Sequence, residues 1–168
     1  MTSDTCDVCL TNKTILTCGL CNCHSCKTCS EIVAEETFEF LSKIPEKLSH
    51  DVYCPNCYDE VVAPELDSYN GIMKRAEAVD VFDKKQGKES RKYHRKEDPI
   101  KVTNCFDREE TLMRLAFFAA EKDFDIIVDV DLVSRKVTTA GKHKRLIWEG
   151  TAVPVAPSIR RIDKNCPT

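Results

Sequence analysis

Four cysteine pairs, Cys6/Cys9, Cys18/Cys21, Cys26/Cys29 and Cys54/Cys57, each enclose two residues, and all lie within the first 57 positions. No other feature of the chain restricts its fold so tightly. Two thiolates at this spacing can converge on one tetrahedral ion, and two such pairs complete a closed site. Four pairs therefore call for two zinc ions. The stretch CGLCNCHSCKTC, residues 18–29, adds Cys23 and His24 to the regular pairs, so donors outnumber the positions that two ions offer. Only Cys105 and Cys166 fall outside this region.

A disulfide framework would need an oxidising compartment. The first residues, MTSDTCDVC, lack the basic and apolar regions of a secretion signal. No apolar run approaches the roughly 20 residues that span a bilayer. A reducing cytoplasm is the expected location, and metal ligation the expected use of the thiols. The net charge of −3 gives no general attraction to nucleic acid or to anionic membranes.

The paired spacing resembles the cross-brace zinc fingers, the group that includes the FYVE and RING families. In those folds the first and third pairs share one ion, and the second and fourth share the other. The resemblance implies that Cys6, Cys9, Cys26 and Cys29 bind a first zinc and that Cys54 and Cys57 contribute to a second. Two ligands then remain to be assigned. In a FYVE-like register they are Cys18 and Cys21, through the spacing C-x2-C-x4-C-x2-C. In a RING-like register they are Cys21 and Cys23, with cysteine in place of the usual histidine. Cys18 and Cys21 are preferred, since every ligand then comes from a C-x2-C pair, with Cys23 and His24 as alternative donors. His24 fits neither register well and reads as a neighbour of the cluster or an exposed ring.

Neither family's function transfers intact. No Trp-x-x-Asp precedes Cys6, and KTILTC stands where FYVE fingers carry a basic stretch, so phosphoinositide binding is not expected. RING ligases receive a ubiquitin-conjugating enzyme through apolar residues near the first pair and after the last. Val8 and Pro55 suit that role, but Tyr58-Asp59-Glu60 replaces the usual cation.

Elsewhere the pattern is ordinary. SEIVAEETFEFLSKIP, residues 30–45, has helical spacing at Val33, Thr37, Phe40, Leu41 and Ile44, with Ser30 as cap and Pro45 as stop. YDEVVAPELDSYNG predicts a short helix or turn running into a linker, punctuated by Pro64 and Gly71. RAEAVDVFD alternates as a strand does, and the charge-rich residues 84–99 read as a solvated loop or hairpin. Asp107 and Glu110 match a capped helix start, and the apolar surface of TLMRLAFFAAEK predicts cover on more than one side. A strand follows with Ile126, Val128, Val130 and Leu132 on one face, and LIWEGTAVPV forms a last strand. The predicted fold class is α+β. A two-zinc finger (1–62) and a linker (63–72) precede a β-α-β-β domain (73–155) with an antiparallel or mixed sheet, then a tail (156–168).

The run from LMRLAFFAAEKDFDIIVDVD to EGTAVPV resembles the YbjQ-like family of small bacterial proteins, described as heavy-metal-binding. The resemblance covers about residues 73–155 and implies an α+β fold, a bacterial source and ring-like homo-oligomers. It departs at Asp123-Phe124-Asp125, where the family has Ala-Asp-Ala, and in the charged loop. Asp129 and Asp131 share a strand face and read as its solvent side rather than as a hard-cation site. Cys105 and Cys166 have no nearby donors in sequence.

No nucleophile elbow or phosphate-binding glycine loop occurs. Eight thiolates in closed sites leave no position at which zinc could activate water. The expected function is that of a non-enzymatic adaptor with two structural zinc ions, a protein partner and self-association. A RING-type ubiquitin ligase, which in a bacterial protein implies an effector acting within a host, and a metal-handling protein are the alternatives.

Overall fold

Before residue 54 no described strand exceeds three residues, because backbone pairing is repeatedly interrupted by the turns that carry the cysteines. The structure, a computed structural model, describes residues 5–11, 15–138 and 144–156. The chain divides after Gly71 into two units.

In the first unit, β1 (Ile15–Thr17) pairs antiparallel with β2 (His24–Cys26), and β3 (Glu31–Ile32) with β4 (Val52–Tyr53). The expected helix over residues 30–45 is not formed. Ile32 pairs with Val52 instead, and only a 3-10 turn, Glu35–Phe38, follows. Ser30 caps nothing: its hydroxyl donates to the Cys26 carbonyl at 3.0 Å and meets the Ser25 hydroxyl at 2.7 Å. Tertiary pairing at the start of the segment overrides its helical spacing. Tyr53, Val62, Phe38 and Leu48 are buried, and the Phe38 ring meets Tyr69 edge-on at 5.4 Å. So small a core does not stabilise about 70 residues unaided.

After Cys54 the chain is continuously helical where a turn and linker were expected. It runs through α1 (Pro55–Cys57), a π-helical turn (Tyr58–Val62) and α2 (Ala63–Glu77). Pro55 opens the helix, a position where its missing N–H costs nothing. The wider π turn lies just before Pro64, which cannot donate a helical hydrogen bond. Residues 75–77, expected as strand, complete this helix.

The second unit is α+β with a mixed four-stranded sheet. Its strands are β5 (Asp80–Asp83), β6 (Ile100–Cys105), β7 (Ile126–Thr138) and β8 (Lys144–Pro154), in the order β5-β7-β8-β6. β5 runs parallel to β7, and the other pairs are antiparallel. β6 is additional to the expected β-α-β-β series, although Ile100 and Val102 are buried between exposed neighbours as an alternating strand requires. The charged stretch between β5 and β6 contains a 3-10 turn, Lys84–Gln86, and a short helix, α3 (Gly87–Ser90). The Arg95 guanidinium pairs with both carboxylate oxygens of Asp129 and donates to the Ser90 hydroxyl at 3.1 Å.

Helix α4 (Arg108–Glu121) begins where its sequence signals place it. Asp107 accepts from the Glu110 N–H at 2.8 Å, and the Glu110 carboxylate reaches back to the Phe106 N–H at 2.6 Å. Thr111, Leu115, Ala116, Phe117, Ala119 and Ala120 are all buried, a wide arc as its apolar surface implied. Leu115, Phe117 and Ile127 are each 0% exposed, and burial of such a side chain contributes about 1.5–3 kcal/mol. The expected single face of β7 is broken by a bulge between Val128 and Asp131, where Asp129 takes φ 54°. Ile126 and Val128 join Val155, Phe82 and Tyr93, whereas Leu132 approaches Gly150 near Thr111 and Leu115.

Candidate metal centre

One turn is used four times. In each of the four pairs the carbonyl of the first cysteine accepts the N–H four residues on: Leu10 to Cys6 at 2.9 Å, Asn22 to Cys18 at 3.0 Å, Ser30 to Cys26 at 2.9 Å and Tyr58 to Cys54 at 2.9 Å. Closing this ring bends each pair so that two sulfurs can face one point. Leu10 and Asn22 complete their turns with φ of 57° and 59°, in the left-handed region. The first cysteine of each pair is buried, and the second is more exposed.

The short strands bring the turns together. β1–β2 pairing sets Ile15 opposite Cys26, and β3–β4 pairing sets Glu31 opposite Tyr53, one residue before Cys54. The Gly19 N–H donates to the Val52 carbonyl at 2.9 Å and docks the second pair beside the fourth. Asp7 ties the first pair to the third: its N–H donates to the His24 carbonyl at 2.8 Å, and its carboxylate accepts the His24 N–H at 2.7 Å.

Two sulfur groups result. Cys6, Cys9, Cys26 and Cys29 form one, and Cys18, Cys21, Cys23 and Cys54 the other, with all sulfurs of a group within 4.8 Å of one another. Each group can hold a metal ion. The Cys9–Cys26 and Cys21–Cys54 sulfur separations are both 3.7 Å. A tetrahedral zinc with bonds of about 2.3 Å has sulfur–sulfur edges of about 3.8 Å, so both groups fit zinc. Cys57 is not among the sulfurs of either group, but it rides the turn that closes on Cys54, and burial and then the Cys21, Cys54 and Cys18 thiols raise its pKa. The structure thus gathers the donors of both registers, Cys18 and Cys23 alike, around Cys21 and Cys54.

His24 belongs to neither group, and its buried Nδ1 has no hydrogen-bond partner. Asp129 and Asp131 are occupied by cations, Arg95 and, at 3.2 Å, Lys84. Cys105 is buried, which pushes its thiol pKa up, and it joins no metal group among the described residues. Cys166 lies outside the described residues. All ten described cysteines are free of disulfides.

Backbone dipoles prepare the sulfurs for a cation. The N–H groups of Cys9 and Cys26 point at the Cys6 sulfur, at 3.5 and 3.2 Å. They hold its thiol pKa below the usual value. The Thr11 hydroxyl, 2.9 Å from the Cys9 sulfur, lowers that thiol to about 6. Burial works against ionisation of Cys18, but N–H groups of Cys21, Cys54 and Leu20 together bring it to about 6. Cys29, in contrast, is pushed up to about 12 by the crowding Cys26 and Cys9 sulfurs. Cys23 is raised by burial and then by the Cys21 and Cys54 thiols. Such groups can hold four thiolates only when a cation replaces their protons.

No described helix is long and apolar enough to cross a membrane. No family model, curated protein or solved structure matches the chain.

Proposed function

We propose that the first unit is a structural two-zinc finger acting without catalysis as a protein-interaction module, and that the second unit brings copies of the chain together. The observation that carries the first part is a cavity of about 260 Å³ lined by Asp7 and Val8 of the first turn, Cys54, Pro55 and Asn56 of the last, and Cys23. Val8 is 49% exposed there, and Leu10, which ends the same turn, is 77% exposed. Apolar groups held in the open by a metal-stapled turn present a surface for a partner. Full thiolate coordination leaves zinc no vacant position for chemistry.

The same cavity favours one second reading, a RING-type ubiquitin ligase, since it joins Val8 and Pro55, the two positions at which RING fingers receive a conjugating enzyme. Discharge of ubiquitin from a charged conjugating enzyme separates the two. Discharge that is lost on Val8→Ala supports the ligase. Absence of discharge from protein holding two zinc ions supports the adaptor, and metal exchangeable beyond two ions per chain would favour metal handling instead. Light scattering tests self-association, and a monomer at all accessible concentrations would refute it.

A further inference from the structure

The two metal groups differ in supply. The first has four sulfurs, Cys6, Cys9, Cys26 and Cys29, as many as a tetrahedral ion uses. Around the second there are five. Cys23 lies within 4.8 Å of the sulfurs of Cys18, Cys21 and Cys54, and Cys57 stands on the closed turn that begins at Cys54, a turn that in the other three pairs sets both cysteines in one group. One triangle of sulfurs is therefore shared by two candidate fourth ligands. The two reach it from different supports. Cys57 ends helix α1 and is fixed by the turn that closes on Cys54. Cys23, two residues beyond Cys21, belongs to none of the four closed turns, lies in the short segment between the second turn and β2, and lines the solvent-open cavity beside Cys54.

Resting on the two-zinc reading, we propose that Cys18, Cys21 and Cys54 hold the second zinc permanently while Cys23 and Cys57 are interchangeable as its fourth ligand. Each swap is a ligand substitution without redox change. The entering thiol gives up its proton and forms a zinc–sulfur bond, the leaving sulfur breaks its own bond and takes up a proton, and zinc stays divalent. A site with an internal competitor for one vertex has a built-in route to an opened, three-sulfur state. An external thiol or chelator arriving through the cavity can capture that state. Among the described residues the first site has no fifth sulfur and lacks this route. The second zinc is thus the exchangeable one, and the class of acceptor it suits is a soft thiolate ligand.

Elemental analysis of the full chain and its variants, combined with release kinetics to a chromogenic zinc chelator, tests this. Wild type, Cys23→Ser and Cys57→Ser are each expected to hold two zinc ions, whereas Cys54→Ser and the double variant Cys23→Ser with Cys57→Ser lose one. Wild type is expected to release one equivalent quickly and one slowly, with the fast phase slowed in either single variant. Cadmium-113 NMR guards against misfolding: each single variant should keep two resonances in the all-sulfur range. Loss of the second ion from one single variant, or from both, would overturn the proposal by showing fixed ligands, as would a single release phase in wild type. Fewer than two zinc ions in wild type would instead overturn the two-zinc reading itself.

Discussion

Protons and zinc compete for the same sulfurs, and the environment of each thiol sets how hard. Cys9 and Cys18, at about 6, are already thiolates at neutral pH, whereas Cys29, at about 12, keeps its proton until a cation arrives. Zinc loading at pH 7 is therefore expected to release protons, with Cys29 among their sources. Affinity should fall more steeply below about pH 6, where Cys9 and Cys18 also hold protons that zinc must displace. Calorimetry in buffers of different ionisation enthalpy measures the proton count, and a pH-independent affinity would contradict this account. A second prediction concerns Gly150, where an added Cβ would lie 2.7 Å from Thr111 Cγ2 and 2.8 Å from Leu132 Cδ2. Thr111 is fully buried and cannot move aside, so Gly150→Ala should destabilise the second unit by about 1–3 kcal/mol in urea unfolding. At this scale the sequence pointed to the right neighbourhood but not to the number of donors. C-x2-C spacing identifies the paired cysteines because both sulfurs sit on one turn. Local spacing offered Cys23 only as an alternative to Cys18, whereas the Cys18 N–H, donating to the Cys23 carbonyl at 3.0 Å just before β2, brings both into one group.

Elements were legible where local chemistry decides them. The start of α4 was readable from Asp107 and Glu110, since a cap is a contact between residues three apart. Residues 30–45 were not, because their strand pairing depends on Val52 and Tyr53, some twenty residues away. The alternation in β7 was misread as one continuous face because the bulge at Asp129, which its ion pair with Arg95 accompanies, shifts the pattern by one residue. Pro64 and Gly71 suggested a linker, but a π turn precedes the proline, and the glycine sits within α2. Gly71 offers a direct check: a Cβ there would meet nothing within 4 Å. Gly71→Ala should therefore stabilise the protein by about 0.5–1 kcal/mol through the lower entropy of the unfolded helix segment. Thermal melting reads this as a higher midpoint, and a lower one would show that the position is not ordinary helix.

The whole molecule joins two units that resist unfolding by different means. The second has a sheet and helix core in which Leu115, Phe117, Ile127 and Val128 are fully buried. The first has a small core and two sulfur groups, and metal binding at such sites contributes on the order of 10 kcal/mol each to folding. Removal of metal should therefore unfold the first unit and leave the second folded, seen as selective loss of dispersed NMR resonances from residues before Gly71. The claim beneath all of this is that the two sulfur groups are zinc sites. Elemental analysis of zinc per chain in protein purified without added chelator tests it most directly. Two equivalents per chain is the result expected, and one or none, in protein whose first unit is nonetheless folded, would contradict it.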